Sequence, residues 1–235
     1  MTNRVLLDNV DHHGLCVAVR HAAELGDSVN QMLIFPTEFE DAQREYPILF
    51  NRDDAGVFQS VVLLGFERDE NLFLDGERWD AFYVPAIQRR GPFSIGLQRR
   101  EDGDPEVKVH LDLDDPRVGM SGEPLFLPHG GNTPYLTHIT ETLRTIYEGH
   151  EATGPMFEAF EMAGLLQSIN LEIAISDERK YRFADYHMID ARRLAGLGGA
   201  ELERLNRAGF LRLAIFAAAS LGNVARLVDR KRRRS

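Results

Sequence analysis

The chain has 235 residues, 43% hydrophobic and 27% charged, with a formal net charge of −10. That apolar share is enough for a sizeable core and excludes a disordered chain. A body of this sign repels nucleic-acid phosphate and anionic lipid, so neither is expected as a principal partner.

The charge is uneven. The closing RKRRRS carries five cations and leaves the rest of the chain at −15 (−10 less the tail's +5). It reads as a solvated tail whose cations also suit a helix C-terminus. The single cysteine, Cys16, excludes an intrachain disulfide and fits a reducing compartment. It lies in the apolar GLCVAV, where a buried, inert thiol is expected. The opening MTNRVLLDNVDHHG has no basic segment followed by a long apolar run, so no signal peptide is expected. LAIFAAASLGNVA, residues 213 to 225, is too short to span a bilayer. The expectation is a soluble, cytoplasmic protein without a membrane span.

In chain order, LCVAV reads as a strand and SVNQMLIFP as a second apolar segment. FPTEFEDAQREYPILF, residues 35 to 50, mixes aromatic and acidic side chains between two prolines. Thr37 and Glu40 have capping-box spacing, so a helix is expected from Thr37. Phe39, Ala42 and Tyr46 share one face of it, and Pro47 stops it at Tyr46. YPILF and VFQSVVLLGF read as strands, with LFLDG a short partner. PFSIGLQR and VKVHLDLD flank the turn REDGDPE and read as an antiparallel hairpin. MSGEPLFLPHGGNTP is an irregular loop. NTPYLTHITETLRTIYEG reads as a helix with Thr133 as cap, Pro134 at its first position and Gly149 at its end. TGPMFEAFEMAGLLQ reads as the next helix. INLEIAIS and YRFADYHMID form a second hairpin around DERK. Asp190 caps ARRLAGL, AELERLNRAG is a short helix, and a final helix runs from Phe210 to Val228 with one apolar side. The fold class is α+β, with antiparallel sheet in a strand-rich N-terminal half and helices plus a β-hairpin in the C-terminal half. This is a single domain, 1–235, with an internal seam near 150–155.

Candidate chemistry is sparse. On the strand VHLDLDD, His110 and Asp112 share a face. They form the H-x-D half of a two-His-one-carboxylate Fe(II) site, with His187 of ADYHMID as third ligand. Arg192 or Arg193 would then receive a co-substrate carboxylate. The plainer reading makes His110, Asp112 and Asp114 the wet face of a strand whose other side is Val107, Val109, Leu111 and Leu113. Asp11 and His13 of DHHG make a poor metal clamp. There is no G-x-S-x-G and no C-x-x-C, and GLGG reads as a helix end rather than a dinucleotide loop.

WDAFYVPAIQRRGPF, residues 79 to 93, is the strongest binding candidate. Trp79, Phe82, Tyr83 and Phe93 stand beside Arg89 and Arg90, a combination that suits planar, acidic or peptide-like ligands. The structural alternative buries Phe82, Pro85 and Ile87 and uses the arginines to neutralise Glu38, Glu40 or Glu45.

FPTEFEDAQREYPILF, VVLLGF, WDAFYVPAIQRRGPF, GEPLF, YRFADYHMID and GFLRLAIFAAASL, in this order, resemble the SapC family of bacterial proteins from residue 12 to about 228. The family takes its name from a surface-layer-associated protein. The resemblance implies kinship and supplies no catalytic motif. The leading expectation is a non-catalytic accessory protein with no cofactor. In it, a cleft between the two halves holds a peptide, a small molecule or a protein partner against Trp79, Tyr83, Arg89 and Arg90. The second is a non-haem Fe(II) oxygenase-like enzyme using His110, Asp112 and His187. The third is a homo-oligomeric, surface-layer-associated structural protein with the final helix as interface.

Overall fold

In a computed structural model of the chain, residues 3–98, 106–176 and 179–234 are described. The turn expected at 100–106 lies almost wholly outside these residues, and the DERK turn lies partly outside them.

Near-continuous apolar runs build the central sheet. Ile48–Phe50 and Val61–Leu63 are buried, as strands covered on both faces require. Five antiparallel strands lie in the order Leu166–Ala174, Lys180–Ile189, Ile48–Arg52, Phe58–Leu63, Gln31–Ile34. The C-terminal hairpin and three N-terminal strands therefore share one sheet. The architecture is α+β.

The chain separates into two units. One joins Ala22–Pro85 to Glu148–Ser235 and contains the central sheet. The other joins Met1–His21 to Ala86–Tyr147. In this smaller unit the expected hairpin is present, Phe93–Gln98 against Glu106–Asp112, with Arg4–Leu6 added at its edge. The LCVAV strand shrinks to Cys16–Val17, which pairs with Val118–Gly119 and Glu123–Pro124. Cys16 is half-buried rather than buried. Val17, Phe93, Leu111, Leu125, Phe126, Leu136, Ile139 and Leu143 form this unit's core.

One helix replaces the two expected around Gly149. Pro134–Met162 is continuous over 29 residues. Its start is as expected: Thr133 Oγ1 accepts from Leu136 N at 3.2 Å, and Pro134 follows. Gly149 serves packing rather than termination. A Cβ there would stand 2.4 Å from Phe35 Cβ and 2.5 Å from Thr37 Oγ1. Pro155 lies inside the helix, at a cost of about 3 kcal/mol. Met156, Phe157 and Phe160 just beyond it are buried, and at about 1.5–3 kcal/mol each they outweigh that cost.

The helical turn in FPTEFEDAQREYPILF starts earlier than the Thr37–Glu40 spacing predicts. Pro36–Glu38 is a 3-10 turn leading into the helix Phe39–Ala42. Glu38, not Glu40, reaches back, accepting from Phe35 N at 2.8 Å. Phe39, Ala42 and Tyr46 share the expected buried face, and the next strand starts directly after Pro47.

The final helix is also two, Phe210–Ser220 and Asn223–Arg234, parted near Gly222. Together they are long and apolar enough, by length and composition alone, to cross a membrane. Here Phe210–Ser220 packs on Phe39–Ala42 and the central sheet. Buried Asn223 donates to Gln43 O at 2.8 Å and Tyr46 O at 3.2 Å, tying the break to the end of the short helical turn.

The basic tail is only partly solvated: Arg232, Arg233 and Arg234 are exposed, but Lys231 is buried. Lys231 is only 6% exposed and its Nζ lies 2.8 Å from Glu67 Oε1 and 2.6 Å from Glu70 Oε1. Arg230 holds Asp80, Arg232 donates to Ile175 O, and Arg234 donates to Leu74 O. Arg230, Lys231 and Arg234 tie the segment 67–80 to the last helix, and Arg232 ties that helix to Ile175.

Candidate functional site

The segment from Trp79 to Tyr83 sits on a chain of buried hydrogen bonds. Trp79 is 8% exposed, and its Nε1 donates to Tyr46 Oη at 2.8 Å. The Tyr46 hydroxyl donates onward to Tyr83 O. Burial pushes the Tyr46 hydroxyl well above the ordinary tyrosine value, so it stays protonated and keeps donating. Tyr83 Oη donates to Glu38 Oε1 at 2.8 Å, and Tyr83 N donates to Glu45 Oε2 at 2.9 Å. Glu38 thus turns inward and is met by a hydroxyl and a backbone amide. The mixture of aromatic and acidic side chains in residues 35–50 is a brace.

The brace aims one ring outward. Phe82 has 103% relative exposure, between half-buried Ala81 and Tyr83. A groove of about 370 Å³ on one flank is lined by Asp41, Arg44, Glu45, Phe82 and Tyr83. A second, of about 340 Å³, is lined by Glu45, Arg78, Trp79, Asp80, Phe82 and Arg230. Phe82, Glu45 and the ends of the brace are common to this surface. Its charges are mixed. Arg230 Nη1 lies 2.7 Å from Asp80 Oδ2, with its guanidinium 4.4 Å from the Phe73 ring centre, and Arg44 Nη1 lies 3.3 Å from Asp41 Oδ1. Arg230 holds the exposed Asp80 carboxyl below its usual range.

Arg89 and Arg90 belong to the smaller unit, whereas Trp79 and Tyr83 belong to the larger. Arg89 ends the short helix Ala86–Arg89. Arg90 is half-buried and its Nη1 donates to Phe93 O at 2.7 Å. Burial, then the charges of Arg4 and Arg117, hold its pKa below the usual arginine value. Arg117 itself is clamped by Asp115, at 2.9 Å and 2.7 Å.

His110 and Asp112 lie on the strand Glu106–Asp112 of the smaller unit, and His187 lies in the central sheet of the larger. His110 is half-buried over Gly96 of the neighbouring strand. A Cβ at Gly96 would fall 2.2 Å from His110 Cε1, so glycine makes room for the ring. Among the described residues no three His, Cys, Asp or Glu side chains are gathered as a metal ion would need. Of the arginines considered beside His187, Arg193 donates to Ala163 O at 2.9 Å and pairs with Glu201, and Asp190 caps the helix on which both arginines lie. In DHHG it is Asp8, not Asp11, that engages a histidine, with His12 Nδ1 3.6 Å from its carboxylate.

The sequence singles out residues 79–93 but not which aromatic faces outward. Phe82 stands in a loop, where no period-two or helical pattern assigns a side. No curated protein and no solved structure matches the chain. A protein-family model described as SapC matches residues 7–227, nearly the whole length, and the chain belongs to the SapC family.

Proposed function

We propose that this SapC-family protein is a non-catalytic, cytoplasmic accessory protein that recognises a peptide segment at the Phe82 loop. The observation that carries the reading is a wholly exposed aromatic ring standing on a braced loop between two grooves. Exposing a phenylalanine forgoes about 1.5–3 kcal/mol of burial, a loss that binding recovers. Aromatic anchors with a polar, charged surround are typical of recognition surfaces. Arg44, Arg78 and Arg230 line the two grooves together with Asp41, Glu45 and Asp80, which suits a peptide carrying both signs of charge better than a uniformly anionic ligand. Trp79 and Tyr83 form the floor and hold the loop, and neither needs to move for Phe82 to be reached.

Selection of short random peptides displayed on phage against the full chain tests this. Enriched peptides should bind the wild type and lose at least about tenfold in affinity against Phe82→Ala. Failure to enrich any sequence, or enrichment of peptides indifferent to Phe82→Ala, refutes the reading.

A further inference from the structure

The strand Lys180–Ile189 leaves regular pairing at one point. Against its hairpin partner, Ile169 faces Tyr186 and Leu171 faces Phe183, so Ala184 and Asp185 together oppose Asn170. Two residues against one make a β-bulge, which bends a strand and re-aims its side chains. Asp185 has φ +66°, the left-handed region, and is the one non-glycine residue there among those described. Aspartate tolerates that region better than most residues, but at a cost.

On its other edge the same strand meets Ile48–Arg52 at one pair, His187 with Phe50. Asn51 and Arg52 stay paired with Gln59 and Phe58 on the far side. The two strands therefore part where the bulge bends. The opening is a pocket of about 340 Å³ lined by Asn51, Arg52, Ser168, Asp185, Tyr186 and His187. Pockets of this size take small molecules.

Two of its polar atoms are not satisfied by the protein. Asn51 Oδ1 and His187 Nδ1 are shielded and have no hydrogen-bond partner. Ser60 Oγ, in line with Phe50 and His187 across the sheet, is in the same state. Buried polar atoms in folded proteins are nearly always paired, so two orphans lining one pocket point to an occupant. The His187 ring stands edge-on to Phe58, with centroids 4.9 Å apart. Burial, then Arg52, hold its pKa below 6.5 against the pull of Asp185, so the imidazole is neutral near pH 7. The Arg52 guanidinium lies 3.7 Å from the Phe58 centroid, donates to Gly56 O at 2.6 Å and is 3.6 Å from Glu161 Oε1. The lining thus offers one cation, one exposed carboxylate and neutral hydrogen-bonding groups.

We propose that this pocket binds a small zwitterion of the α-amino-acid class, its ammonium donating to Asp185, Asn51 Oδ1 and His187 Nδ1 and its carboxylate accepting from Arg52. The site is separate from the Phe82 surface, and neither proposal depends on the other.

Saturation-transfer NMR on the full chain with a mixture of the twenty free amino acids tests it. At least one should show transfer from the wild type, and Asp185→Asn, which also accepts a left-handed backbone, should weaken it at least tenfold. Trimethylglycine, which has the charges but no N–H donor, should show no transfer. Asp185→Gly relieves the positive φ, so it should raise the thermal midpoint while still losing the ligand. The proposal fails if no amino acid binds and the gap is merely hydrated. It fails if binding survives Asp185→Asn or extends to trimethylglycine. It also fails if Asp185→Gly lowers the midpoint, since the carboxylate would then be an element of the fold.

Discussion

Two of the places where the larger unit buries polar groups differ: one is completed and the other is not. In the brace, Trp79 Nε1, Tyr46 Oη and Tyr83 Oη each reach an acceptor, and Glu38 and Glu45 each receive a donor. At the bulge pocket, Asn51 Oδ1 and His187 Nδ1 reach none, and neither does Ser60 Oγ on the next strand, outside the pocket lining. The two regions share one unit and hence one core, so the difference is not one of general packing quality. A buried hydrogen bond adds about 0.5–1.5 kcal/mol, whereas a buried group left unpaired costs about 1–3 kcal/mol. A completed network fixes a shape. An incomplete one spends stability on atoms that only an occupant satisfies.

Mutations can break this contrast or sharpen it. The largest effect belongs to Tyr46→Ala. It opens a cavity at a wholly buried site, 4.6 Å from the Phe73 ring, and strands the Trp79 donor. Urea unfolding should show a loss of about 3–5 kcal/mol. A loss below about 1 kcal/mol would mean that the brace holds nothing.

Next comes Lys231→Met, which unties the last helix from the segment leading to Trp79. Burial lowers the Lys231 pKa, but Glu67 and Glu70 outweigh it and hold the ammonium above its usual value. Glu67 is mostly exposed, so the expected loss is about 1–3 kcal/mol. A raised lysine pKa stabilises fully below the unfolded value of 10.5 and loses that contribution as the pH climbs through the folded value. The wild type should therefore lose stability more steeply at alkaline pH than Lys231→Met, which keeps only the limb contributed by buried tyrosines such as Tyr46.

The smallest effect, and the sharper contrast, is Ser60→Ala. Removing a hydroxyl that has no partner should leave stability unchanged or raise it by up to about 1 kcal/mol. A clear loss in the same urea assay would show that Ser60 belongs with the brace.

Local patterns carried much of the fold. The Phe39–Ala42–Tyr46 face, the Thr133 and Asp190 caps and both hairpins each depend on neighbours a few residues away, whereas the helix expected to run to Tyr46 ends at Ala42. What escaped depends on distant partners. Gly149 resembles a helix end, but its meaning lies in Phe35 and Thr37. The basic tail resembles solvated charge, but its carboxylates come from Glu67, Glu70 and Asp80. The bulge hides inside YRFADYHMID because alternation continues on both sides of Asp185 and no glycine marks the turn. Of the surface now proposed for binding, the segment was legible and the exposed ring was not. The interleaving of the two units leaves no composition signal at 21/22, 85/86 or 147/148.

The most direct test of the account pairs two measurements on Phe82→Ala, the urea midpoint and the affinity for peptides selected on the wild type. The account predicts stability within about 0.5 kcal/mol of wild type, as for a surface substitution, with at least a tenfold loss of peptide affinity. Unchanged affinity, or a stability loss above about 1 kcal/mol, would contradict it.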